Sequence, residues 1–454
     1  MKHRATLELF APLDRTAPVP LRAQLEAAIR AAITGGGAPP GTKLPASRAL
    51  ADALGVSRGV VSEAYAQIAA EGWIEVRHGS APVVRAGGGA GAPALWPAPA
   101  APGVAPRLDL TATAPDLSAF PRRAWAAALR RALAEMPDLA FDYGDPYGDR
   151  ELRAELAAYL VRVRGVAPAR LVLTGGYTQG LWLTCRALAA RGARRVAVED
   201  PSLDDAWATI RSAGLEVVGV PVDEHGIVPD GLEADAVLVT PAHQFPTGAV
   251  LAPERRRALL EWGGIVIEDD YDSEYRYDRA PVGTLQRLAP DRVVYLGTAS
   301  KTLAPALRLG WLVAPPELAD AVARERWPVD SGGPAIEARA YARLLATGEV
   351  DRHLRRTRRE YHARRDALVA ALDRKLPECR VEGVAAGLHL LLRLPHGTDE
   401  AAAVEALAER RIRVRGLASY RLEPRPGEPA LVLGYGRIPA AAIDAAVDAL
   451  RDVI

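Results

Sequence analysis

The sequence predicts an α/β protein in two parts. A small helical head closes with a hairpin, and a large body is built on a mainly parallel sheet with a smaller α+β region at its end. Three observations predict this. Short β-branched runs alternate with helical stretches through the middle of the chain, the pattern of a sheet covered on both faces. Residues 86–106, AGGGAGAPALWPAPAAPGVAP, are almost wholly Ala, Gly and Pro, where no amphipathic period survives and proline forbids helix. Ahead of that stretch, two short amphipathic segments meet through LGV. At 454 residues the chain exceeds one ordinary domain. The expected division is a head (1–85), a linker (86–106) and a body (107–454) whose smaller subdomain begins at about 316.

The bulk composition excludes several classes. Hydrophobic residues at 49% against 25% charged give material for a sizeable core. A net charge of +1 carries no global signal for nucleic acid or an anionic membrane, so any such contact must be local. The opening MKHRATLELFAPLDR has no apolar signal region, and no apolar run is long enough to span a bilayer. Cys185 and Cys379 lie far apart without metal-type spacing. The expectation is a cytoplasmic, reduced protein with no membrane contact and no metal.

In the head, SRALADAL begins at Ser47, a candidate cap, and stops at Gly55. SRGVVSEAYAQIAAEG begins at a second cap, Ser57, and WIEVRHGSAPVV reads as a hairpin wing about HGS. Two helices joined by a tight turn make a helix-turn-helix. Residues 1–85 hold ten Lys and Arg against seven Asp and Glu, a mild bias, with Arg48, Arg58 and Arg77 on the elements that would face DNA. The start of the second helix enters the major groove in such modules. There Arg58 could pair with guanine, while Ser57 and Ser62 could bond phosphate or base edges.

The body strands are expected at RRVAVED (194–200), LEVVGVPV (215–222), AVLVTPA (236–242), GIVIEDD (264–270), RVVYLG (292–297) and LGWLVAP (309–315). An Arg-rich helix over about 350–374 and the strands GLHLLLRLP, RIRVRGL and ALVLGYG follow. In such sheets ligands bind at the carboxyl ends of strands. Four pieces fall there. LTGGYTQGL (173–181) leads a strand through glycine into a helix, where backbone N–H groups can meet a phosphate; Gly176 and Tyr177 are its candidates. VIEDDYDSEY (266–275) ends a strand on Asp269, a carboxylate able to keep a pyridine nitrogen protonated, with Tyr271 placed for a ring hydroxyl. GTASK offers Thr298, Ser300 and Lys301. Arg308 follows seven residues later and can clamp a phosphate with its planar fork. Lys301 is notable because the chain has only four lysines, Lys2, Lys43, Lys301 and Lys375, among 57 Lys and Arg. A lysine amine can lose its proton and attack a carbonyl; an arginine cannot.

The head segment PLRAQLEAAIRAAI…PPGTKLPASRALADALGVSRGVVSEAYAQIAAEGWIE resembles the GntR-type winged helix. That resemblance implies DNA contacts by Arg48, Ser57, Arg58, Gly59 and the wing tip His78–Gly79. Many members carry arginine where this chain has Ser62. The body pieces, in their order and with YGDPYGDRELRAELAAYL (143–160) and PAHQFPTG, resemble the fold-type I, aspartate aminotransferase-like enzymes. Fused behind the head, and with TPAHQFPTG and EDDYDSEYRY, the whole chain resembles the MocR/GabR subfamily of GntR regulators.

The resemblance implies pyridoxal 5'-phosphate as cofactor, held as an aldimine on Lys301 (the Schiff-base lysine). Asp269, Tyr271, Arg308, Thr298, Ser300, Gly176, Tyr177, Leu203 and His243 would be around it. It implies a homodimer on a double-stranded DNA operator, sensing the cofactor itself or an amine or amino acid effector. Two positions depart from the family. Leu203 stands where an aromatic ring usually stacks on the cofactor, and Val432 stands where aminotransferases often place a carboxylate-binding arginine. Arg415, Arg421 and Arg437 remain open as substitutes. The uncertain arginine favours a sensor over a turnover enzyme, with half-reactions still open. The rival readings are a working aminotransferase with an appended head, and a cofactor-free dimerisation scaffold.

Overall fold

The structure is a computed structural model that describes residues 13–77, 80–85, 105–167, 169–277, 282–423 and 427–454. It divides into two compact units, Met1–Val104 and Ala105–Ile454. The expected linker lies almost entirely outside the described residues.

In the first unit, helix α1 (Leu21–Thr34) packs on α3 (Arg58–Ala70), with α2 (Ser47–Leu54) beside it. Leu25, Ile29 and Ile33 of α1 meet Leu50 of α2 and Val61, Tyr65 and Ile68 of α3 in one core. Helix α2 ends at Gly55, which takes φ 66°, a left-handed value that glycine adopts without a Cβ penalty. Ser57 caps α3 by accepting from Val60 N. The expected cap at Ser47 is not formed: Ser47 is the first helical residue, and Ala46 holds the cap position with no side-chain bond. The preceding Pro45 and extended Ala46 start the helix one residue early. Strands β1 (Ile74–Glu75) and β2 (Val83–Val84) pair antiparallel as the wing. The wing tip His78–Gly79 lies outside the described residues.

The second unit opens with β3 (Leu108–Asp109). It is centred on eight strands: β4 (Arg170–Thr174), β5 (Arg195–Asp200), β6 (Glu216–Asp223), β7 (Gly226–Ile227), β8 (Ala236–Val239), β9 (Ile265–Asp269), β10 (Val293–Thr298) and β11 (Gly310–Ala314). Their order is β4-β11-β10-β9-β8-β5-β6-β7. Strands β10, β9, β8, β5 and β6 are mutually parallel. Most of their residues are buried from both faces, which is why the sequence reads as apolar runs without alternation. Strand β11 runs antiparallel to both β10 and β4, unlike its neighbours. Residues 299–309 are too few for a crossover helix, so the chain can only turn back beside β10.

The smaller region holds the long helix Glu349–Lys375 and a four-stranded antiparallel sheet. Its strands are β12 (Arg380–Glu382), β13 (His389–Arg393), β15 (Arg415–Gly416) and β16 (Ala430–Gly434), in the order β12-β13-β16-β15. RIRVRGL splits in two, because β14 (Ile412–Arg413) leaves this sheet to pair in parallel with β3. Leu108 and Leu110 therefore pack with the last hundred residues of the chain, sharing a core with Leu431, Leu433 and Ile438.

Candidate functional site

The carboxyl ends of β4, β5, β8, β9 and β10 surround a cavity of about 410 Å³. Of the residues expected around a cofactor, Lys301, Asp269, Tyr271, Arg308, Thr298, Ser300, Tyr177 and Leu203 all line it. They come from segments far apart in sequence, brought together because each ends or follows a strand of the one sheet.

Gly176 does not line the cavity but shapes it. It is the N-cap of helix Tyr177–Ala190 with φ 98°. A Cβ there would sit 3.1 Å from both terminal nitrogens of the Arg308 guanidinium. The helix N-terminus, with its unpaired N–H groups, and the arginine fork therefore face one small space, a combination suited to a phosphate. Arg308 is itself left-handed at φ 50°, which is strained for a residue with a Cβ and aims the fork back from the β10–β11 turn. Thr298 Oγ1 and Ser300 Oγ lie 2.9 Å apart in the same turn.

Asp269 and Lys301 form the opposite pole. Asp269 Oδ1 is shut off from solvent and has no hydrogen-bond partner among the described residues, while the Tyr177 hydroxyl interacts with the carboxylate. Burial, reinforced by Asp270 and Asp272, pushes its carboxyl well above the usual range. Lys301 Nζ donates to Thr113 Oγ1 at 3.3 Å. Burial lowers its pKa against the opposing pull of Asp269 and Asp272, which favours the neutral, nucleophilic amine. An orphaned buried acceptor beside a depressed lysine is costly unless a ligand completes it. A pyridoxal phosphate fits that requirement. Its ring N–H would give Asp269 its donor, its aldehyde would meet Lys301, and its phosphate would take the Gly176–Arg308 corner.

His243 is placed differently from expectation. It does not line the cavity; it sits behind Tyr271, whose hydroxyl lies 3.2 Å from His243 Nδ1 and 3.1 Å from its carbonyl oxygen. His243 Nδ1 also meets Asp272 Oδ2 at 2.9 Å. Phe245, two residues on, occupies the cavity wall instead. Sequence reasoning missed Thr111, Thr113, Phe245 and Tyr420 in the wall. Only Phe245 carried a local signal, as part of PAHQFPTG; the others come from segments with no strand-end motif.

Glu199 closes the floor. Its Oε2 accepts from Thr240 N at 3.1 Å and from Thr240 Oγ1 at 2.6 Å, and burial raises its pKa from 4.5 to about 7. The native state thus keeps a proton that the unfolded chain releases near 4.5. Its stabilising contribution is full below 4.5 and is lost as pH rises through about 7. A move of that size corresponds to about 3 kcal/mol. Glu199→Gln is expected to narrow the gap in Tm between pH 5 and pH 8 relative to the parent; an unchanged gap would show that Glu199 ionises without cost.

In the head, Arg48, Ser57, Arg58, Gly59 and Ser62 are all exposed. Arg58, Gly59 and Ser62 share the outer face of α3, opposite Val61, Ala64 and Tyr65. Arg48 and Arg58 form no ion pair among the described residues, whereas Arg77 is paired with Glu75 at 2.7 Å.

Residues 107–450 match the aminotransferase class I and II family, and residues 21–84 match the bacterial regulatory proteins of the gntR family. The chain is 36% identical over 413 residues to the HTH-type pyridoxine biosynthesis transcriptional regulator of Corynebacterium glutamicum, covering 89% of each. It is 32% identical over 471 residues to the probable rhizopine catabolism regulatory protein MocR of Rhizobium meliloti, covering 97% of this chain and 94% of that one. Among solved structures, the α-aminoadipate aminotransferase of Thermus thermophilus, complexed with a phosphopyridoxyl-leucine, superposes with a TM-score of 0.68 at 27% identity, covering 76% of this chain and 91% of that one. A gntR-type head and a pyridoxal-phosphate-type body, matched together along nearly the whole length of regulators built the same way, leave one assignment: the chain belongs to the MocR/GabR subfamily of GntR transcription regulators.

Proposed function

We propose that this regulator binds an operator through its head and senses pyridoxal phosphate, or an amine or amino acid presented to it, through the body. The observation that carries the sensing half is a buried Asp269 with an unpaired Oδ1, lining the same cavity as Lys301 and Arg308. When bound, the cofactor supplies an aldehyde for an amine and a ring that draws electrons from it. The chain's own residues do the rest. Asp269 would accept a hydrogen bond from the ring N–H and keep that nitrogen protonated, Arg308 and the helix N-terminus would hold the phosphate, and Leu203 would pack against the ring, while Tyr271 is bonded to His243. Thr113 holds the Lys301 amine in the cavity wall.

A ligand shifts a conformational equilibrium only by its differential affinity for the two states. Residues that follow β3, β10 and β16 meet at this cavity, so occupancy can favour one arrangement of large and small regions. A homodimer is part of the proposal. Leu139, Phe141 and Tyr143 are exposed, and Gly144 N bonds Ser331 O at 3.2 Å, next to exposed Trp327 and Val329. Exposed apolar residues of this kind support an interface there. No helix of the described residues is long and apolar enough to cross a membrane; a cytoplasmic location is part of the proposal and is supported by the DNA-binding role.

The test is a footprint on the DNA upstream of its own gene with and without pyridoxal phosphate. Protection that changes with cofactor is the expected result. Protection that ignores it would remove the sensing role. Arg58→Ala is expected to weaken operator binding by about 1–3 kcal/mol with the cofactor's absorption intact. An equal loss on unrelated DNA would make Arg58 a phosphate contact and not a base reader. The second reading, a working aminotransferase, is favoured by the lowered Lys301 pKa, and sustained conversion of an amino acid to its keto acid would establish it.

A further inference from the structure

The outer wall of the cavity decides what kind of amine can enter. Val432, where the family resemblance places an arginine, is fully buried in β16 and packs with Phe245, Tyr271, Leu203 and Tyr420. Nothing charged projects from that position. Three other arginines lie nearby in sequence. Arg415 lines the cavity but is spent. Its terminal nitrogens hold both oxygens of Asp204 at 3.2 and 2.9 Å, its Nε donates to Ser419 Oγ at 3.1 Å, and its guanidinium lies 4.2 Å from the Tyr420 ring centre. Arg421 does not line the cavity; its guanidinium lies against Gly427.

Arg437 differs from both. It lines the cavity, and its positive charge acts on Lys301. One terminal nitrogen is fixed by Asp109 Oδ2 at 3.0 Å. Its Nε is shielded from solvent and has no hydrogen-bond partner among the described residues. The Arg437 side chain as a whole is 33% exposed, and Asp109 holds only one of its terminal nitrogens, so the other is the donor a ligand in the cavity can meet. The surrounding backbone explains how Arg437 reaches this place. Residues 110–114 lie along β16 and its continuation: Gly434 N donates to Leu110 O at 2.8 Å, and a Cβ at Gly434 or Gly436 would strike the carbonyl of Thr111 or Ala114. This strap carries Thr111 and Thr113 into the cavity wall and brings Asp109 against Arg437.

We infer that Arg437 is the carboxylate receptor of the effector pocket, oriented by Asp109. The effector class is therefore a primary amine that also bears a carboxylate, and not a plain amine. A guanidinium presents parallel donors that match a carboxylate, while an alkyl terminus offers it nothing. The inference rests on the sensing reading, and goes beyond it by naming the ligand class and the residue that selects it.

The experiment follows the visible absorption of the cofactor-loaded protein during titration. Glycine, β-alanine and 4-aminobutyrate are each compared with the amine lacking the carboxylate: methylamine, ethylamine and propylamine. In at least one pair the amino acid is expected to half-saturate the change at a concentration at least tenfold lower. Arg437→Gln is expected to bring the pair within twofold in a protein that still takes up the cofactor. Arg437→Lys keeps a cation opposite Asp109 but loses the fork, and is expected to retain only part of the preference; it decides the matter if the glutamine variant fails to fold. Equal potency in every pair, no response to any titrant, or a preference that survives Arg437→Gln would overturn the inference. Failure of the sensing reading is seen separately, before any titrant is added, as a protein that takes up no cofactor, and both readings then fall.

Discussion

Replacing Lys301 with alanine abolishes the visible absorption of the cofactor-loaded protein and removes the effect of pyridoxal phosphate on DNA binding. That is the expected result, and it follows from the lysine's setting. Lys301 is held off from bulk water with its amine on Thr113 Oγ1, and burial lowers its pKa. No other lysine lines the cavity among the described residues, so no neighbouring amine can take over the aldehyde. The Gly176–Arg308 corner and Asp269 remain in the variant, so phosphate and ring binding persist weakly while the spectrum changes. Absorption and an operator-binding titration, run on the same preparation, check it. An unchanged visible band in the alanine variant would sink the assignment of Lys301.

Arg164→Ala is expected to be the most destabilising single change outside the cavity. Arg164 Nε meets Asp270 Oδ2 at 2.6 Å and Nη2 meets Oδ1 at 3.0 Å, with both side chains almost wholly buried. Tyr295 donates its hydroxyl to the same Oδ2 at 2.6 Å. Replacing the pair with apolar residues can be neutral, but removing one partner leaves a buried charge alone and costs about 3–5 kcal/mol. Asp270 also adjoins Asp269 and raises its pKa, so an uncompensated Asp270 would disturb the cofactor pole as well. Urea unfolding of the cofactor-free protein measures the loss. A change below about 1 kcal/mol would mean that Asp270 takes up a proton or water at little cost.

The sheet was legible because buried parallel strands must be apolar along most of their length, and the runs at 195–200, 236–239, 265–269 and 293–298 are. Direction was not legible. Strand β11 looks like its neighbours in composition, and only the shortness of residues 299–309 forces it antiparallel. Lys301 stood out because a chain that otherwise prefers arginine kept a lysine there. Asp269 and Arg308 stood out by distance from a strand end, which is a local measure. Thr113 did not stand out, and Arg437 could not be separated from Arg415 and Arg421, since their places depend on residues 110–114 meeting β16 across more than three hundred residues of sequence. His243 was read as a cavity residue from its motif. The motif's spacing could not tell which of two near neighbours, His243 or Phe245, faces inward.

The strap along β16 also bears on how the protein is made. Residues 107–110 bond to Arg411 and Arg413, and 110–114 lie against residues 434–436. The head has a core of its own and can fold while translation is still crossing the body, since domains generally fold as units from the N-terminal side. The cavity can close only when the last strand has left the ribosome. A nascent chain therefore passes through a stage with a finished DNA reader and an unfinished sensor.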